Sequence, residues 1–186
     1  MKKYIILVSA VFFISCQEKR EKTIVSVKVW YYNGIFDRVM AVGCDEIIYL
    51  PEKVDTLDIP VVGGGYRPPR QTVVLESIIT DKEVLQEIAI ELRKRKVTKR
   101  NNIDARMKCY IRFADGNIDS LCLAESPTYG YYNKKPAKFS NRFAYLIRKN
   151  CGFYRWINAD YMKYFDELND PSFKREKVKT RWGGDY

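Results

Sequence analysis

Two dipeptides constrain this chain more than any other feature: Asn33-Gly34 and Asp115-Gly116, each standing between β-rich stretches. A two-residue hairpin turn needs positive φ at both central residues, which Asn, Asp and Gly tolerate, so each dipeptide predicts a tight antiparallel hairpin. Thr23 to Tyr32 alternates, with Val25, Val27, Val29 and Tyr31 on one side and Ser26, Lys28 and Trp30 on the other. A turn at Asn33-Gly34 sets Tyr32 opposite Ile35 and Val27 opposite Met40, with the second strand ending near Gly43. Asp104 to Ala114 and Asn117 to Ala124 form the second expected hairpin, in which a two-residue turn puts Cys109 opposite Cys122. Met107, Cys109, Ile111 and Phe113 then share the core face, and Arg106, Lys108, Tyr110 and Arg112 the other.

Glu46 to Leu50 and Thr56 to Val62 read as edge strands, where Pro51 and Pro60 are tolerated. Gly63 to Arg70 breaks the pattern and reads as a surface loop carrying Arg67 and Arg70. Thr72 to Ile79 is β-rich and runs into Thr80, whose spacing to Glu83 is that of a capping box. The helix so begun reaches about Lys96, with Val84, Leu85, Ile88 and Leu92 on one face. Ser140 caps a second helix with Phe143, Leu146 and Ile147 inward. Asn158 or Asp160 caps a third, with Tyr161, Met162, Phe165 and Leu168 inward. The fold class expected is α+β: an antiparallel sheet built from hairpins, with about three helices packed on it. Residues 24–170 form one domain, and 171–186 a basic C-terminal tail unless the alternation of Val178, Thr180 and Trp182 adds an edge strand.

The chain contains no histidine. That excludes Ser-His-Asp and Cys-His nucleophile pairs and removes the commonest ligand of catalytic zinc. No cofactor and no metal site is expected. Cys44, Cys109, Cys122 and Cys151 contain no CxxC, and an even number of cysteines reads first as disulfides. The expected bridge is Cys109–Cys122, which leaves Cys44 and Cys151 to pair with each other or to stay free; the alternative for Cys109 and Cys122 is two reduced, buried thiols.

Three stretches carry candidate binding residues. Tyr129, Tyr131 and Tyr132 sit among Lys134 and Lys135 in an expected loop that either offers rings to a sugar or protein partner or folds over the core. Arg93 to Arg100 holds six basic residues and no acid, which reads as a helix end favoured by the dipole or as contact with an anionic surface. Arg67 and Arg70 in the Gly63 to Arg70 loop are the third.

Lys2 and Lys3 begin the chain, Tyr4 to Ile14 is nearly unbroken apolar sequence, and Ser15 precedes Cys16. This is the layout of an export signal, too short to span a bilayer. It resembles the signal of bacterial lipoproteins, with Phe13-Ile14-Ser15-Cys16 in the place of the lipobox and Phe13 where that family usually has Leu. The resemblance covers the leader only. It implies removal of residues 1–15, acylation of Cys16, a lipidated tether over 16–23 and, from Gln17, an outer-membrane destination. Losing residues 1–15 removes Lys2 and Lys3 and no acid, leaving a net charge of +8. The expected partners are the membrane, through the lipid anchor, and a second envelope protein or an anionic glycan or lipid, with no nucleic acid. The function expected is that of a non-enzymatic binding module. The rivals are a glycan-acting enzyme using carboxylates such as Asp37, Asp45, Glu46, Glu76 and Glu125, and an envelope inhibitor or immunity protein.

Overall fold

The computed structural model describes residues 22–33, 41–49, 74–100, 103–157, 159–180 and 186. The leader and Cys16, the expected strand at 56–62, Arg67, Arg70 and Trp182 lie outside them. Within the described residues, seven strands form one antiparallel sheet: β1 (Ile24–Tyr32), β2 (Val74–Ile79), β3 (Lys96–Val97), β4 (Ala105–Phe113), β5 (Ile118–Ala124), β6 (Tyr129–Tyr132) and β7 (Lys135–Lys138). Their order across the sheet is β2-β1-β4-β5-β6-β7-β3. Two longer helices, α1 (Lys82–Arg93) and α2 (Asn141–Asn150), and two single turns, α3 (Ala159–Met162) and α4 (Asp166–Asn169), complete the α+β architecture.

Residues 34–40 of the expected Asn33-Gly34 hairpin lie outside the described residues, but β1 has no free edge for its second strand. β1 is central: Val27 pairs with Ile79 of β2 on one side and Ile111 of β4 on the other, and Tyr31 likewise with Leu75 and Met107. With both edges taken, the strand expected from Ile35 to Gly43 has no place beside it, and Ala41 to Gly43 is not a strand. A turn dipeptide specifies only its own backbone, whereas β2 and β4 offer β1 two long ladders. A register slip between Ile24 and Ser26 turns Ile24 inward and leaves Val25 43% exposed, so Val25 is not the core residue the alternation predicts.

The β4–β5 hairpin forms with a different turn. Phe113 N–H donates to the carbonyl of Asn117 and Gly116 N–H to that of Phe113, so the loop has three residues, Ala114 to Gly116. Gly116 takes the left-handed position at φ +85°, the bulge that ends such a loop, and Asp115 Oδ1 accepts from Asn117 N–H. The register moves by one: Cys109 faces Leu121, and Cys122 faces Lys108. A one-residue shift carries a strand's side chains to the opposite face, so the expected Cys109–Cys122 bridge is impossible.

The helices cover one face, where Val27, Val29, Met107, Ile111, Leu121 and Leu123 meet Leu85, Ile88, Leu92, Phe143 and Ile147 in the main core. α1 is capped by Asp81 rather than Thr80, the Asp81 carboxylate accepting from Val84 N–H, and it stops at Arg93. α2 has the expected Ser140 cap, whose Oγ accepts from Phe143 N–H. The expected third helix breaks into α3 and α4 around Lys163-Tyr164. Met162, Phe165 and Leu168 still point inward, but Tyr161 is exposed. The segment expected as a basic tail is packed at Val178, which is buried in the core and exchanges two backbone hydrogen bonds with Tyr186.

The outer face is partly covered by residues 41–49. Cys44 is bridged to Cys122, and a small second core joins Tyr32, Val42, Ile47, Ala105 and Cys122. The segment is also tied by Ala105 N–H to the Val42 carbonyl and Val42 N–H to Asp104. Where a strand was expected over Glu46 to Leu50, Cys44–Glu46 is a 3-10 turn and residues 47–49 are irregular. Arg106, expected on the solvent face, is buried and paired with Asp104.

Candidate anion-binding surface

One edge of the sheet gathers the two basic stretches of the sequence. After α1 ends, Lys94 N–H donates to the Glu91 and Leu92 carbonyls, and Arg95 reaches back with Nη1 to the Leu92 carbonyl at 2.9 Å. The chain then enters β3, where Lys96 pairs with Lys138 and Val97 with Ala137 of β7. Thr98 N–H continues the ladder to the Pro136 carbonyl.

The Tyr129 to Lys138 stretch is a hairpin rather than the expected loop. Asn133 and Lys134 both have positive φ, 48° and 65°, and join β6 to β7 in a two-residue turn. Asn133 holds the turn to β5: its Oδ1 accepts from Ser120 N–H at 2.8 Å and its Nδ2 donates to Asp119 at 2.9 Å. Tyr132 O–H donates to the same carboxylate, and burial together with that neighbour pushes the phenol pKa up. At Gly130 a Cβ would stand 2.0 Å from the Cys122 carbonyl oxygen, so only glycine lets β6 approach β5 here.

The tyrosines of this hairpin face opposite ways. Tyr129 lies on the outer face opposite Lys138, with the Arg100 guanidinium 4.6 Å and the Lys138 ammonium 5.4 Å from its ring centre. Tyr132 lies on the helical face with the Arg95 guanidinium 4.1 Å above its ring. An arginine therefore flanks the edge on each side, its alkyl stem and planar head ordered against an aromatic ring. Tyr131 does not belong to this group: it pairs with Cys122 and packs on the second core.

Lys96, Lys99, Arg100, Lys134, Lys135 and Lys138 are all exposed. No ion pair to a described residue neutralises any of them, whereas Lys94 is held by Glu91 at 2.6 Å. Burial would raise the Glu91 pKa, but hydrogen bonds from Lys94 and Ser140 outweigh it and the net shift is down. The arrangement is a ridge of fixed positive charge suited to phosphate, sulfate or carboxylate groups.

The other sequence candidates separate. Cys109 and Cys151 are free and buried, and burial raises both thiols above their ordinary range, Cys151 to about 12. On the outer face Trp30 donates its indole N–H to Glu76, which also pairs with Lys28, and the Trp30 ring meets Tyr110 edge-on at 5.2 Å. A cavity of about 400 Å³ elsewhere is lined by Glu125, Ser126, Pro127, Tyr164, Phe165 and Asp166. Among the described residues no cluster of His, Cys, Asp and Glu has the makings of a metal site, and no helix is long and apolar enough to cross a membrane. What sequence reasoning missed was the meeting of Arg95 and Arg100 with Tyr132 and Tyr129; the six-cation run was its only local signal. Comparison with protein-family models, curated proteins and solved structures finds no match for the chain.

Proposed function

We propose that the chain is a lipid-anchored protein of the bacterial cell envelope, seated in the outer membrane, whose domain is a non-enzymatic binding module for an anionic component. The leader and Cys16 support the anchor. The Cys44–Cys122 bridge suits an oxidising compartment. The observation that carries the binding role is the pairing of Lys96 with Lys138, two cations facing each other across β3 and β7. Like charges directly opposite destabilise a sheet by up to about 1 kcal/mol, a cost that a bound anion relieves. The test is salt elution of the mature chain from immobilised dextran sulfate. Lys96→Glu/Lys138→Glu is expected to elute at much lower salt than Lys174→Glu/Lys177→Glu, which changes the net charge equally at another site. Identical elution of the two variants sinks the assignment. For the anchor, Cys16→Ala is expected to leave the leader uncut and the protein without acyl chains.

A second reading has one observation behind it: two carboxylates, Glu125 and Asp166, line one cavity beside Tyr164. A glycan-acting enzyme needs such a pair. Under that reading Glu125→Gln and Asp166→Asn each abolish release of reducing ends from envelope glycans, and no release by the wild type removes it.

A further inference from the structure

The basic edge presents its charges as a row rather than around a point. Lys96 and Lys138 stand level with Tyr129, and Lys135 stands level with Tyr132, three residues and about 10 Å further along the strand. Arg100 adds charge on the outer face and Arg95 on the helical face. Val97 pairs with Ala137 and so shares the helical face with Arg95 and Lys135, opposite to Lys96 and Lys138; it is 89% exposed, an apolar side chain on an outermost strand. A row of cations around a bare apolar residue matches a plane of many phosphates over an apolar layer better than it matches one small anion.

We propose that the β3–β7 edge is a membrane-facing surface that engages the phosphate groups of lipid headgroups, with Val97 entering the interface between them. This rests on the anion-binding role proposed above and specifies its ligand.

The experiment uses the mature chain with Cys16→Ser, so that no acyl chain contributes, and vesicles of phosphatidylcholine with and without phosphatidylglycerol. Wild type is expected to sediment with the anionic vesicles only, to be released by salt, and to be displaced weakly by inorganic phosphate at matched ionic strength. Each cation near an anionic surface contributes about fivefold, so Lys96→Glu/Lys135→Glu/Lys138→Glu is expected to lower partitioning at least tenfold. Lys163→Glu/Lys174→Glu/Lys177→Glu, with the same change in net charge, is expected to keep most of it. Val97→Gln is expected to weaken partitioning severalfold with an unchanged salt dependence. Binding to soluble dextran sulfate without binding to vesicles overturns the membrane assignment and leaves the anion site standing; binding to neither overturns both. Edge lysines also guard against strand-to-strand association. Aggregation of the edge variant with vesicle binding intact assigns the lysines to that role and refutes the proposal.

Discussion

Replacing Arg148 by Met tests a partly compensated ion pair in the core. Arg148 is 1% exposed and Glu167 is fully buried. Arg148 Nη1 donates to Glu167 Oε1 at 2.6 Å, Tyr154 O–H donates to the same oxygen at 2.9 Å, and Arg148 Nη2 donates to the carbonyls of Glu125 and Ala124. The guanidinium also lies over the rings of Phe153 and Phe165, at 4.8 and 5.2 Å. Arg148 Nε and Glu167 Oε2 have no partner among the described residues, so the network is only partly satisfied. Removing the cation alone strands a buried carboxylate, a loss of about 3–5 kcal/mol. For a domain whose total stability is about 5–15 kcal/mol, and a urea dependence near 2 kcal/mol per molar, the midpoint falls by roughly 2 M. Arg148→Met/Glu167→Gln removes both charges and keeps an acceptor for Tyr154. It is expected to recover at least half the loss, a coupling of about 2 kcal/mol or more in a double-mutant cycle. Equilibrium urea unfolding of the oxidised protein measures Arg148→Met, Glu167→Gln and the double variant. A loss below about 1 kcal/mol for Arg148→Met, or additive single losses, refutes the reasoning.

Non-reducing peptide mapping is expected to find Cys44 joined to Cys122. Reducing this bridge, whose half-cystines are 78 residues apart, costs up to about 4.5 kcal/mol on the chain-entropy model, read as a lowered urea midpoint. The free thiols Cys109 and Cys151 are expected to resist iodoacetamide in the folded protein and to react fully in denaturant. Because burial raises their folded pKa values, the unfolded chain loses those protons first, and stability is expected to fall as pH rises above about 9, the ordinary thiol value. A Cys109→Ala/Cys151→Ala variant that keeps the same slope of stability against pH in that window removes this account. Gly130→Ala forces a methyl against the Cys122 carbonyl and is expected to cost about 1–3 kcal/mol; a change below about 0.5 kcal/mol in thermal or urea unfolding means β6 does not approach β5 as described.

The legible parts of the fold are those decided within a few residues. α2 and its Ser140 cap, the apolar stripe of Leu85, Ile88 and Leu92, and the shared face of Met107, Cys109, Ile111 and Phe113 all follow from local period. The site was half legible. Tyr129, Tyr132 and the Arg93 to Arg100 run each stand out in the sequence, but nothing local links them, because their contact depends on β3 adding to β7 at the far edge of the sheet. Asp115-Gly116 marked a hairpin correctly yet not its loop length, since aspartate and glycine suit both a two-residue turn and the three-residue loop with Gly116 at its bulge.

Sequence alone determined that this chain builds an α+β domain from antiparallel strands, because alternation, capping residues and turn dipeptides act through short-range sterics and hydrogen bonds. Tertiary structure decided which strands became neighbours and in what register. β1 took β2 and β4 as its neighbours, two long ladders that leave it no edge for the strand expected after Asn33-Gly34. The single-residue register shift in β5 then sent Cys122 to Cys44 and left Cys109 a free thiol in the core, because side chains on a strand change face at every residue.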